Sequence, residues 1–295
     1  MPLLSRPDGV VVADVAPLRK MMTHLMPTRN EAVVYVEQDL DVSSALAYVR
    51  QCRENGTPRV TLFRMLLCGI VRMFSMRPHL NRFISGGALY QRHHIELSFA
   101  IKRAFTDEGD LTSTKLRFRP HEALGSCSAR IGDAIRAARE GPTAVERETA
   151  LVTRLPGSLI RFLLGTQRFL DRRNLLPYAF FRDDPMYASM AFTDTGSVGL
   201  GPVYHHPFNY GTVSLFTSVG PVRRVHETQA DGGTKATDIM RIRYAFDERI
   251  ADGFYLARSL ELLQFCLSNP HLLESEQAIA MTSPEPAVPV SEPLV

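Results

Sequence analysis

Residues 61–76, TLFRMLLCGIVRMFSM, are apolar on nearly every side when wound at 3.6 residues per turn. A helix without a polar stripe has to be surrounded by other elements. This segment therefore predicts a central, buried helix, opened by Thr61 and stopped before Pro78. What surrounds it must come from the rest of the chain. Pro17 to Met26 and Ser43 to about Asn55 read as helices, the second capped by Asp41 or Ser43. Further helices are expected over 121–140, 156–176 and from near Asp252 to Leu267, the last with Phe254, Ala257, Leu260 and Leu263 at helical spacing. Strands are expected at 32–36, 83–84, 88–90, 95–101, 115–118, 189–193 and 212–219. Gly86-Gly87 marks the turn between the second and third of these. A hairpin of 222–229 and 235–246 is joined by Asp231-Gly232-Gly233.

Strands and helices intermix without a βαβ repeat, so the expected class is α+β with a mixed β-sheet. No linker or repeat divides the chain, and one domain is expected over 1–281. Thr282 onward is Pro-rich, and 282–295 reads as a disordered tail. The segment 156–176 is both basic and apolar, with Arg161, Arg168, Arg172 and Arg173 among Ile160, Phe162, Leu163, Leu164, Phe169 and Leu170. It suits a membrane-surface helix or an internal helix pair packed on the core.

Composition excludes several functions. A formal charge of +3 is too small and too dispersed for a nucleic-acid binder, yet compatible with an anionic ligand. No run approaches the roughly 18 apolar residues of a membrane span. The N-terminus lacks a signal-peptide core, so a cytoplasmic location is expected. Cys52, Cys68, Cys127 and Cys266 are widely spaced, and read as buried structural thiols rather than a zinc or disulfide set. No histidine pair has the i, i+4 spacing of a helical zinc site, and no metal is expected. No GxGxxG or GxxxxGK[ST] opens a helix.

The most specific segment is Arg243 to Leu263, RYAFDERIADGFYLARSLELL. It resembles the strand–turn–helix signature of the catalytic domain of 2-oxoacid dehydrogenase acyltransferases and of chloramphenicol acetyltransferase, in which a His, then three residues, then Asp-Gly follow one another. Other segments agree in order. Pro17-Leu18-Arg19-Lys20 is similar to that family's first helix, and Arg77-Pro78-His79-Leu80-Asn81 to its P-x-L-N turn. His94 to Lys102 resembles its apolar strand, and Ala191-Phe192-Thr193-Asp194-Thr195-Gly196 its T-I-S-N-L-G segment. The resemblance spans about residues 8–267. It implies a two-layer sandwich of the chloramphenicol acetyltransferase type. It also implies a homotrimer with active sites between subunits, and transfer of an acyl group from a coenzyme A thioester to a thiol, hydroxyl or amine acceptor. That acceptor would be a small molecule or lipoyl-type arm, and no lipoyl attachment is expected on this chain. The alternative is a non-catalytic trimer that binds coenzyme A or serves as a scaffold.

One departure decides between them: Glu248 stands at the position of the motif His. A free Glu titrates near 4.3 and a thiol near 8.5, a gap worth about 5–6 kcal/mol against a pre-formed thiolate. Burial raises a Glu by up to 3–5 units, so Glu248 is expected in a desolvated channel as the base. Otherwise it belongs to a structural ion-pair cluster with Asp247 and Arg249. Thr193 matches the family's oxyanion-donating Ser, with Ser189 in reserve; each is also an ordinary strand residue. Asp252 is expected to cap the last helix and, by the resemblance, to pair with Arg19, while Gly253 gives room at the turn. His205-His206, in a Gly/Pro-rich loop, is read as lining the substrate channel or as a surface pair. His93-His94 is read as structural.

Overall fold

In the computed structural model the described residues are 6–56, 59–104, 106–228 and 232–277. They form a six-stranded mixed sheet covered on one face by helices, with a small three-stranded sheet beside it, an α+β two-layer architecture. The large sheet runs β2 (Val33–Asp41), β9 (Thr234–Asp247), β8 (Leu215–Thr228), β7 (Met190–Asp194), β5 (Ile95–Lys102), β6 (Leu111–Phe118). Strand β7 lies parallel to both neighbours, and the other pairs are antiparallel. The small sheet is β1 (Gly9–Val11), β4 (Ala88–Arg92), β3 (Arg82–Ser85), all antiparallel.

Helix α3 (Leu62–Met76) is the predicted central element, with Thr61 accepting from the Arg64 amide at its N-cap. It packs with α2 (Ser43–Glu54), α4 (Leu124–Glu140) and α7 (Gly253–Ser268) into one cluster with Leu97, Phe99, Phe192, Tyr244 and Phe246 of the sheet. Each such side chain removed from water contributes roughly 1.5–3 kcal/mol. Burial of α3 extends even to Arg72, whose guanidinium donates to the carbonyls of Ser275 and Gln277 at 2.6 Å. Cys68, Cys127 and Cys266 are buried here as free thiols; Cys52 is half-buried.

Several boundaries differ from expectation. Strand β2 runs to Asp41 because Glu37 and Asp39 find cations across the ladder on Arg243 and Arg241, which lets charged residues continue a strand. Helix α4 starts at Leu124, since His121 takes a left-handed φ of 56°. Strand β7 begins one residue later than expected, β8 starts at Leu215, and β1 and a short helix α5 (Ala144–Val152) were not foreseen. The hairpin of β8 and β9 is present; its connection at 229–231, with Asp231, lies outside the described residues, as does the 282–295 tail.

The segment 156–176 is corrected more fully. It forms α6 (Gly157–Arg172), but not as an internal pair: Phe162 and Phe169 are exposed and only Asp171 is buried. Its C-terminal end is fastened to the small sheet. Arg6 donates to Asp171 at 2.9 Å, and the Asn174 amide donates to the Tyr90 hydroxyl at 2.8 Å. The β3–β4 turn fits against the same end. Gly86 has φ 56°, and a Cβ there would sit 2.3 Å from the Arg172 carbonyl oxygen. Gly86→Ala is therefore expected to cost roughly 1–3 kcal/mol in urea unfolding, with the clash adding to the backbone strain. No helix is long and apolar enough to cross a membrane among the described residues.

Candidate active site

Strand β9 alternates Ile242, Tyr244 and Phe246 into the helix layer with Arg243 and Ala245 onto the opposite face, and ends at Asp247. The chain then turns through 248–251 into α7. This turn is held at several points. The Asp247 amide donates to the Ser214 carbonyl at 2.9 Å, and the Glu248 amide to that of Ala32 at 3.0 Å. Arg19, from α1 (Pro17–Leu25), donates to the carbonyls of Glu248 and Arg249 at 3.2 Å each. Asp252 caps α7 by accepting from the Tyr255 amide at 2.7 Å, and its carboxylate lies 3.6 Å from the Arg19 guanidinium.

Within this frame the three charged residues divide. Asp247 and Arg249 are buried and joined by two bonds, Nε to Oδ1 at 2.8 Å and Nη2 to Oδ2 at 2.6 Å. Arg249 also donates to the Met26 carbonyl at 2.7 Å. Glu248 stays outside that pair. Its side chain is half-buried, and its carboxylate makes no hydrogen bond or ion pair among the described residues. The ion-pair cluster exists, but it does not contain Glu248. This chain's own atoms cover the Glu248 side chain only in part. At Gly253 a Cβ would meet nothing within 4 Å, so this chain's own atoms do not require glycine at that position.

Thr193 lies on β7, half-buried, facing away from the helix layer, and its hydroxyl makes no hydrogen bond among the described residues. It borders a cavity of about 260 Å³ with Phe63, Phe99, Lys102, Asp194 and Arg139. Burial holds the Asp194 carboxyl above its ordinary range, opposed by the Ser197 and Gly196 amides that donate to it. Ser189 differs from Thr193. It is buried, accepts from the Glu96 amide at 2.9 Å and lies 3.5 Å from the His94 carbonyl, so its hydroxyl is committed to the backbone of β5. The His94 carbonyl also accepts from the Asn81 amide, a structural use of that residue.

The loop after β7 folds back over the outer face of the sheet. Ser218 clamps it by accepting from the Val203 amide at 2.7 Å and donating to the Val203 carbonyl at 2.6 Å. His205 stacks on Phe216, with ring centroids 5.2 Å apart and planes at 15°, and its Nδ1 meets the His206 carbonyl at 2.9 Å. His206 is exposed, edge-on to Phe208. Of the pair, His205 packs on the strand beside β9.

Glu248 and Thr193 do not meet within one chain. Thr193 pairs with Ser218, and Ser218 with Arg243. From Arg243 to Glu248 the chain advances about 15 Å, and two strand spacings add about 10 Å sideways. A centre using both residues requires a second copy of the chain. Sequence reasoning missed Arg29, which the fold buries behind the turn; nothing in Pro27-Thr28-Arg29-Asn30 signals that burial.

No protein-family model matches the chain, and neither does any curated protein. Solved structures do. A probable dihydrolipoamide acetyltransferase from Listeria monocytogenes 4b F2365 is 14% identical, with a TM-score of 0.57, covering 88% of this chain and 94% of that one. The dihydrolipoamide acetyltransferase of Azotobacter vinelandii is 15% identical, with a TM-score of 0.56 over 89% of this chain and 93% of its own. A truncated catalytic core of the 2-oxoacid dehydrogenase multienzyme complex from Thermoplasma acidophilum is 16% identical, with a TM-score of 0.54 over 88% and 98%. The chain has the fold of these catalytic domains.

Proposed function

We propose that this protein is an acyltransferase that moves an acyl group from a coenzyme A thioester to a nucleophilic acceptor, with Glu248 as the base. The observation that carries the reading is the turn at 247–252. Its backbone is fixed by Ala32 and Arg19, Asp247 and Arg249 are turned inward on each other, Asp252 caps α7 beside Arg19, and the Glu248 carboxylate is left unengaged. A group held in place by its backbone but free at its tip is prepared to exchange a proton with a ligand. The fold shared with acetyltransferase domains supports the same reading.

In this mechanism the acceptor's thiol, hydroxyl or amine attacks the thioester carbonyl while Glu248 removes its proton. The Thr193 hydroxyl of a neighbouring copy donates to the oxyanion. Collapse of the tetrahedral intermediate expels the coenzyme A thiolate, and Glu248 returns the proton to that sulfur. The products are acylated acceptor and free coenzyme A. The cavity beside Thr193, with Lys102 and Arg139 on its walls, fits the acyl-donor side, because an anionic coenzyme needs cations near the entry. A homotrimer is the assembly that brings Glu248 and Thr193 together in this reading.

Mixing tests it. Thr193→Val is expected to lower turnover about 10²–10³-fold, the usual loss for one oxyanion donor. Glu248→Gln is expected to lose about 10²–10⁴-fold in the same assay of coenzyme A release. Co-assembled Thr193→Val and Glu248→Gln chains regain activity, because about a quarter of randomly formed interfaces combine both intact residues. Mixed assemblies no more active than their parents defeat the inter-subunit site. Wild-type protein that binds coenzyme A without turnover leaves the non-catalytic reading.

A further inference from the structure

Behind the turn, on the side away from Thr193's strand, lies a second cavity of about 450 Å³. Its walls come from the end of α1 and the residues after it, the β3–β4 turn, the last turn of α6, the loop near Asn209, and Arg249. Its charge is unbalanced. Arg29, Arg168, Arg172 and Arg249 line it, and Asp171 is the one carboxylate among the lining residues.

Two of these charges are already matched. Asp171 holds Arg6 at 2.9 Å, and Arg249 is bonded to Asp247. The other three arginines make no ion pair among the described residues. Arg168 and Arg172 are exposed at the rim. Arg29 is the informative one: it is 92% buried, at a relative exposure of 8%. Its Nη1 and Nη2 reach only the carbonyls of Phe208 and Ile84, both at 3.4 Å, the long limit of a hydrogen bond. Its Nε is buried with no partner at all. Burial draws the guanidinium down to about 10, partly offset by the Asp247 and Asp171 carboxylates and reinforced by Arg249. A cation held dry, under-bonded and without a counter-ion is a costly arrangement, and a ligand that completes it recovers that cost.

Carboxylates and phosphates are the groups a guanidinium fork receives best, by paired charge-assisted bonds. We infer that this cavity is an anion subsite that takes the carboxylate or phosphate of a small ligand, with Arg29 at its floor and Arg168 and Arg172 at its mouth. Glu248 is not a wall of the cavity, but Arg249, the next residue of the same turn, is, and we assign the ligand so held as the acyl acceptor. That last step rests on the acyltransferase reading, whereas the binding of the anion does not. The acceptor class is then anionic: a hydroxy or amino acid, a thiol acid, or a phosphorylated alcohol.

The test uses the full chain and inorganic phosphate in calorimetric titration, alone and with coenzyme A at saturation. One phosphate per chain is expected in both conditions. Binding is expected to fall about tenfold or more in Arg168→Ala/Arg172→Ala, an exposed pair whose removal leaves the core intact, since both charge-assisted contacts at the mouth are lost. Arg29→Met abolishes it where that variant folds. Equal affinity in the double variant and wild type, or no phosphate bound, overturns the subsite. Phosphate displaced by coenzyme A overturns the acceptor assignment, because the cavity then reads the coenzyme's own phosphates. Phosphate binding without acyl transfer leaves the subsite standing and removes only the enzymatic reading.

Discussion

Glu248→Gln is expected to lower acyl transfer roughly 10²–10⁴-fold, the span associated with loss of a positioned general base. The substitution keeps the size and polarity of the side chain and removes only its ability to accept a proton. Stability should hardly change. The carboxylate has no partner to lose, and the amide leaves the backbone bonds to Ala32 and Arg19 in place. Coenzyme A binding should also persist, so the loss appears in kcat rather than in KM. The control is Glu248→Asp, which retains a carboxylate but withdraws it by one methylene, and should fall between the two. Turnover unchanged in Glu248→Gln would leave Glu248 without a chemical role and return the protein to the non-catalytic reading.

Asp247→Ala produces the other large effect, and it acts on stability. Asp247 and Arg249 are both buried and doubly bonded, in contact with the carbonyl of Met26 and the edge of the arginine-lined cavity. Removing the carboxylate leaves a guanidinium with no counter-ion beside Arg29, which lacks one already. Breaking such a pair from one side costs about 3–5 kcal/mol. Against a typical total of about 5–15 kcal/mol, that is enough to shift a denaturation midpoint far or to prevent accumulation of folded protein. Replacing both residues together, Asp247→Leu with Arg249→Met, should recover most of the loss. Equal destabilisation by the single and double variants would mean that the pair is not what holds the turn.

How far the sequence foretold these features depended on whether each was local. The central helix was legible because a polar stripe is missing over 61–76, and Thr61 caps it as expected. The α7 start was legible from Asp252, whose cap geometry depends on three successive residues. The extent of β2 was not. Its second half carries Glu37 and Asp39, and only the arginines of a strand two hundred residues later make that extension favourable. The segment at 156–176 misled for a related reason. Its apolar residues suggest burial, yet the helix is held by Asp171 and Asn174 at its end rather than by its phenylalanines. At the turn itself, the sequence identified Glu248 from its place in a motif. It had no means of showing that Asp247 and Arg249 face inward together and leave Glu248 outside their pair.

Arg19 shapes the turn from 229 residues away in the chain, through its bond to the Glu248 carbonyl. The helix that carries it buries only Thr23 and adds little to the hydrophobic centre. The hold on the turn and the packing of the interior therefore rest on separate contacts of the chain.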